Sequence, residues 1–417
     1  MRIRLLSHVF AVIFLFAGNL DAADWPMWRY DANRSAASPA ELPGKLYLQW
    51  KREYRPTTAA WPDQAKMQFD IVREPVVVGQ TMYFNSSRYD AIRAVDTRTG
   101  EEKWTYFADG PIRFAPVAWG GKLYFTSDDG YLYCLKADAG TLEWKFRGGP
   151  SDRKILGNER LISTWPARGA PVIADGKVYF AASIWPFMGI FVHAVDATTG
   201  QAVWTNDGDG SLYMKQPHHT DSFASIAPQG PIVAIGNRLL VPGGRSVPAT
   251  FDRSSGKLLF YQLAENSKRG GGSEVGAINK IFFNGGAVFD IASEKYLAEA
   301  GKVFVLTKKH AFTWDNGVCK VLDLKNSKSQ ESETTDAKGK KTKVARFVMP
   351  LLASTKVTNV DTMIKAGSRL YLGGVDRVTV LDWDAKAKTL SPSWTLDRKS
   401  TRLNSSHIQK SRMPSSA

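Results

Sequence analysis

Hydrophobic positions along this chain fall in short runs punctuated by glycine, and the punctuation repeats. Gly79, Gly121, Gly176, Gly236, Gly301 and Gly367 each open an apolar segment, as in Gly121-Lys122-Leu123-Tyr124-Phe125 and Gly176-Lys177-Val178-Tyr179-Phe180. Each follows another short run, such as Pro75-Val76-Val77-Val78 or Pro171-Val172-Ile173-Ala174. Each glycine therefore predicts a hairpin, whose tight turn needs the positive φ that glycine supplies.

A second pattern closes each unit: an acidic residue, a glycine four later and an aromatic four after that. Asp96, Gly100 and Trp104 fit it, as do Asp196, Gly200 and Trp204, and Asp252, Gly256 and Phe260; Gly140 and Trp144 fit with Lys136 in the acid's place. The aspartates are positioned to accept main-chain hydrogen bonds around a turn, which makes them scaffold rather than catalysts. Together the two patterns predict four strands, A to D, with the D-strand aromatic packed between neighbouring sheets. Units of this size, 42 to 66 residues apart, predict an all-β propeller of four-stranded blades. Six blades are plain, and Asn279 to Asp290 reads as a degenerate seventh.

The ends read differently. Arg2 and Arg4, the apolar run Leu5 to Ala17 and the small residue at Ala22 predict a signal peptide over 1–22, with a cut-off anchor helix as the alternative. A leader over 23–45 and a propeller over 46–397 follow. Leu46 to Lys51, with Trp50 in a D-strand aromatic place, looks like a strand that completes the last blade, yet Ser393 to Leu396 already supplies that blade with a D strand. The expectation is a propeller that continues beyond Asp397. Residues 398–417 have no period and resemble translated sequencing-adapter read-through; a genuine basic tail is the alternative.

Charge changes the picture less than its total suggests. Of the net +15, the tail carries +5, residues 1–22 carry +1 and residues 325–346 carry +4, leaving +5 for the rest. No stretch of the body clusters its basic residues, so a nucleic-acid partner is excluded. At 43% hydrophobic and 23% charged the chain is globular rather than disordered, and Leu5 to Gly18 is too short to span a bilayer. Cys134 and Cys319 form no disulfide framework.

The Ala-x-Asp, Thr-Gly and Trp unit resembles the pyrroloquinoline quinone (PQQ) repeat of quinoprotein alcohol dehydrogenases and of the propeller lipoprotein of the outer-membrane assembly machinery. The resemblance covers about residues 24 to 396 and implies a truncated eight-bladed propeller. Asp24-Trp25-Pro26-Met27-Trp28-Arg29, with Asp31 and Arg34, resembles the leader of secreted bacterial proteins of this kind. For a catalytic member the resemblance implies two adjacent cysteines, a calcium site and an aspartate base over the quinone. Here the cysteines are not adjacent, so PQQ with calcium is left unsupported as a cofactor, and no metal site is assigned.

In a four-stranded blade the B-to-C and D-to-A connections share one face, and the long insertions other than 325–346 lie there. Trp165, Arg168, Trp185, His219, Asp221 and Arg245 are the candidate ligand-binding residues, with Arg and Trp suited to clamp and stack a planar carboxylated molecule. The alternative is that Trp185, Phe187 and Met188 merely plug the channel mouth. His218 and His219, being adjacent, would point to opposite sides and make a poor metal pair. His193 reads as a structural histidine and His310 as an exposed loop residue. The expectation is an exported monomer, periplasmic or extracellular, that binds a protein or carbohydrate partner at this loop face; the other reading is a quinone-dependent dehydrogenase of alcohols or sugars with a degenerate site.

Overall fold

The computed structural model describes residues 24–397, apart from 58, 65–66, 71–74, 158, 211, 216–218, 224–225, 245, 262–270 and 336–340, with main chain alone over 331–335 and 341–346. The expected signal peptide, the tail and Arg245 lie outside the described residues. Among those residues seven blades of four antiparallel strands follow one another, two of them with a short parallel strand added to strand A (Ala37–Ser38 in the last blade, Gly230–Pro231 in the third), and there is no α-helix. Blade 1 shows the plan: A is Val76–Val78, B Thr81–Ser86, C Ala91–Asp96 and D Glu102–Phe107. Blades 2 to 7 occupy residues 117–147, 169–206, 233–260, 275–299, 303–356 and 362–397. Consecutive A strands touch in order from blade 1 to blade 7, which places them innermost, and the exposed D strands outermost.

Two devices recur in the blades. Strand D bulges opposite one place on strand C, between Ala94 and Val95 in blade 1 and at the equivalent pair in the six others, which adds twist to each sheet. The D-strand tryptophan then lies on the C-to-D glycine of the following blade. A Cβ on Gly140 would stand 2.5 Å from Trp104, and Gly200 and Gly256 are filled in the same way by Trp144 and Trp204. Trp50 covers Gly100 and donates its indole N–H to the Thr97 carbonyl, the D-strand aromatic's place beside blade 1, although residues 46–57 form no strand. Asp96 and Asp252 accept two main-chain N–H groups each around their turns.

Three readings from the sequence change. The degenerate unit is a complete blade, with strands Val275–Ile278, Ile281–Asn284, Ala287–Asp290 and Tyr296–Glu299. Asn279 makes its first turn at φ 54°, since a short amide side chain tolerates the left-handed region. Gly301 is therefore not a hairpin turn: it precedes strand A of blade 6, Val303–Leu306. His310, expected in a loop, opens strand B and packs its ring 5.4 Å from Trp383. Residues 325–346 extend the C-to-D connection of blade 6 as a two-stranded ribbon, Lys328–Thr335 against Lys341–Val348.

The leader is woven into the ring. The main-chain N–H groups of Val77, Ala118, Ala234, Ala277, Leu306 and Lys365, one from strand A of each of six blades, donate to the carbonyls of Trp25, Pro26, Ala32, Asn33, Ser35 and Ala36. The remaining blade is reached by Arg34, whose fully buried guanidinium donates to the carbonyls of Pro171, Ile232 and Trp28 at 2.8 to 3.0 Å. Arg29, Tyr30, Arg34 and Ala36 hold φ between 55° and 81°, strain sustained by these bonds. Arg34→Leu should cost about 3 kcal/mol, because it strips three buried carbonyls of their donor; urea denaturation of the full chain measures it.

Blade 5 carries a second test. Its C-to-D turn puts Glu294 at φ 58°, donating its N–H to the Asp290 carbonyl, where blades 1 to 4 have glycine. Burial pushes its carboxyl up to about 7, against the attraction of Arg238 and with Asp290 adding to the rise. The folded protein thus keeps a proton there that the unfolded chain releases near pH 4.5. The contribution is full below that pH and is lost as pH rises through about 7. Glu294→Gly should raise stability by about 1 kcal/mol at pH 8 and flatten the loss between pH 5 and pH 8, as read from denaturation midpoints.

Candidate functional site

Strand A runs from the D-to-A side of each blade to the A-to-B side, where the leader lies. At the opposite end, residues that immediately precede strand A in blades 2, 3 and 4 converge. They are Arg113, Arg168 and Gln229, and the B-to-C loop of blade 2 adds Asp128. A fifth group, Asp70, enters from the segment before blade 1.

The five make one buried network. Arg113 donates from Nη1 to Asp70 at 2.9 Å and from Nε to Asp128. Arg168 donates from Nη2 to the Gln229 amide oxygen at 3.0 Å and stands 3.3 Å from Asp70 and 3.7 Å from Asp128. Neither aspartate nor Arg168 shows more than a trace of surface. Burial alone would lower Arg113, but Asp128 and Asp70 together hold it above its usual value. Burial, with Arg113 close by, pulls Arg168 below its own. A guanidinium stays charged through such shifts, so the network contains two cations and two anions.

Aromatic rings close the network on two sides. Trp61 lies 5.1 Å and Phe114 5.7 Å from the Arg168 guanidinium carbon, and Trp61 meets the edge of Trp185 at 6.3 Å. The Ala60 N–H donates to Asp70 at 3.1 Å, and a Cβ on Gly244 would stand 2.7 Å from the Phe69 ring. Residues 59–64 and 67–70 therefore lie across loops of blades 2, 3 and 4. Trp165 is buried a step away, its indole N–H donated to the Met188 carbonyl.

Of the candidates from the sequence, Arg168 and Trp185 meet at this mouth and Trp165 flanks it. Phe187 does not plug the mouth: it is exposed, and Trp61 and Asp70 fill that place. His219, at φ 65°, and Asp221 are exposed on a hairpin of Tyr213–Lys215 against Asp221–Phe223. Arg245 and His218 lie outside the described residues. His193 is structural: its ring nitrogens pair with the Thr205 hydroxyl and the Gly148 carbonyl, and burial holds it down to about 4. Asp70, Arg113, Asp128, Gln229 and Trp61 escaped the sequence reading.

A quinone with calcium does not fit these residues. Among the described residues no group of three or more His, Cys, Asp or Glu could hold a metal ion. The two aspartates at the mouth are already engaged by arginines, and Cys134 and Cys319 are buried in separate blades with thiols pushed up to about 12 by burial.

Comparison with known proteins bears on the family. Residues 27–299 match the profile of the family described as outer membrane protein assembly factor BamB. Over 142 residues the chain is 32% identical to the dehydrogenase subunit of alcohol dehydrogenase (quinone) from Gluconobacter oxydans, covering 31% of this chain and 18% of that one. Over 161 residues it is 28% identical to quinohemoprotein alcohol dehydrogenase from Comamonas testosteroni, covering 35% and 21%. The matches thus span about a fifth of the relatives' length. The crystal structure of the Comamonas enzyme superposes with a TM-score of 0.58 at 14% identity, covering 90% of this chain and 73% of that one. A europium-containing methanol dehydrogenase gives 0.54 at 14% identity, covering 91% and 86%. These two structures share the propeller fold with this chain.

Proposed function

Because the chain belongs to the PQQ-like repeat family described as outer membrane protein assembly factor BamB, we propose that it is an exported binding module. It works in the periplasm or outside the cell as a monomer that docks a protein partner on its D-to-A and B-to-C loop face. No helix among the described residues is long and apolar enough to cross a membrane.

One observation carries this reading. Leu156 and Leu161 sit on the hairpin before blade 3, Phe187 on its B-to-C loop, and Tyr213 and Phe223 on the hairpin after it; all five are more than half exposed. Tyr213 and Phe223 pack edge to face at 5.2 Å, which pre-arranges a rigid aromatic pair. Three projections with exposed apolar side chains on one face form the kind of patch that a protein partner covers, with aromatic anchors as its hot spots. The charged groups of the mouth, by contrast, are spent on one another.

The second reading, a quinone-dependent dehydrogenase of alcohols or sugars, draws on the activity in the names of the curated relatives. One comparison separates the two. A photo-crosslinking residue at Phe187 or Phe223 should capture a single envelope protein, while one at Lys386, on the C-to-D turn of blade 7, should not. Phe187→Glu with Phe223→Glu should weaken that complex at least tenfold, about 1.4 kcal/mol. Uniform labelling, selective retention on a glycan array instead, or dye reduction with alcohols after loading with calcium and the quinone would overturn the protein-docking reading.

A further inference from the structure

The hairpin before blade 3 has one braced edge and one open edge. Its strands, Lys154–Gly157 and Arg160–Ser163, form a sheet of two strands only. Thr164 donates its N–H to the Arg153 carbonyl, which marks that pair as hydrogen-bonded. Antiparallel pairs alternate, so Ile155 with Ile162 and Gly157 with Arg160 carry the next ladder bonds. The N–H and carbonyl groups of Lys154 and Leu156 therefore point away from Arg160–Ser163, along an edge that no other strand pairs. The opposite edge is held by the ring. Ser163 donates its N–H to the Asp128 carbonyl of the blade 2 B-to-C loop, and Arg160 forms an ion pair with Asp90 in that of blade 1.

The outer strands of the blades show edges too, but each of those D strands carries a bulge, a device by which folded proteins discourage strand addition. Lys154–Gly157 runs in unbroken register and contains no proline. Its outward face is apolar: Leu156 stands directly opposite Leu161, and the two are 79% and 58% exposed. Lys154, two residues earlier on the same face, is also exposed. A strand laid along this edge sets one side chain beside Leu156 and another, two residues away, beside Lys154. Cross-strand neighbours gain from apolar pairing and from opposite charge. The edge is therefore matched by a segment with an apolar residue and an acid at alternate positions.

We infer that Lys154–Gly157 takes up an extended segment of the protein partner as a third strand, one in which an apolar residue and an acid alternate with other side chains. This rests on the protein-docking reading and adds how the partner is held. Main-chain bonds to Lys154 and Leu156 supply the attachment, while the Leu156–Leu161 pair and the Lys154 charge select the segment.

The test uses the full chain and a short fluorescein-labelled peptide in which leucine and glutamate alternate with threonine, read by anisotropy. The peptide should bind saturably. Lys154→Pro removes an outward N–H without touching the ladder to Arg160–Ser163, and should weaken binding about tenfold by leaving a peptide carbonyl unpaired. Lys154→Thr keeps that N–H and should weaken binding much less. A peptide of the same composition with its leucines and glutamates placed side by side should not bind saturably. Equal affinities for Lys154→Pro and Lys154→Thr, or for the two peptides, would overturn strand addition. Self-association of the unaltered chain that Lys154→Pro abolishes, seen by sedimentation without peptide binding, would give the edge to a second copy and overturn the partner segment. Should Lys154→Pro fail to fold, Leu156→Pro against Leu156→Thr makes the same comparison; if both proline variants unfold, the edge serves the fold and the inference fails. Crosslinks from Phe187 that persist while the peptide does not bind would sink this inference and leave the docking reading standing.

Discussion

A ring of sheets leaves the inner edge of every A strand unpaired, and the way this protein answers that constraint organises the rest. A buried main-chain N–H without a partner is destabilising. The leader supplies carbonyls from Trp25 to Ala36 to six A strands in turn; the seventh, in blade 3, pairs with Gly230–Pro231 and gives its Pro171 carbonyl to Arg34. The stretch is short and must turn repeatedly, which explains four non-glycine residues in the left-handed region. Sealing one end of the channel in this way leaves the other end for side-chain chemistry.

That other end is polar where the blades themselves are apolar. Buried ion pairs add little net stability but strongly favour one arrangement, since breaking a single partner strands a charge. Here Asp70 and Asp128 tie the segment before blade 1 to three blades through Arg113 and Arg168. The mouth is thereby rigid and shaped, and the loops that rise around it expose the apolar side chains Leu156, Phe187 and Phe223. A rigid polar centre within an apolar rim is the anatomy of an interface that recognises as well as holds.

Much of the propeller was legible because its blades repeat: glycine at a turn and tryptophan eight residues after the acid both act through backbone geometry and ring packing that recur. Legibility failed where another residue performs the same task. Asn279 and Glu294 hide blade 5, since both turn the chain without glycine, and Ala298 stands opposite Val288 where Trp104 stands opposite Ala94 in blade 1. Arg168 is legible as a basic residue near an insertion, and its equivalents emerge only when the units are set in register. Pro111-Ile112-Arg113-Phe114-Ala115-Pro116-Val117 and Pro166-Ala167-Arg168-Gly169-Ala170-Pro171-Val172 put both arginines at one place in two blades, and Gln229 holds that place in the next. Asp70 and Trp61 carry no such signal. They come from outside the repeat, and only the folded ring brings them to the mouth.

The dependence of the ring on its leader is open to direct measurement by amide hydrogen exchange in the full chain. The account predicts that the N–H groups of Val77, Ala118, Ala234, Ala277 and Lys365 exchange only with global unfolding, as slowly as strand-B amides such as that of Tyr124. Exchange of these five through local opening, while the strand-B amides stay protected, would show that the blades close without the leader and would contradict it.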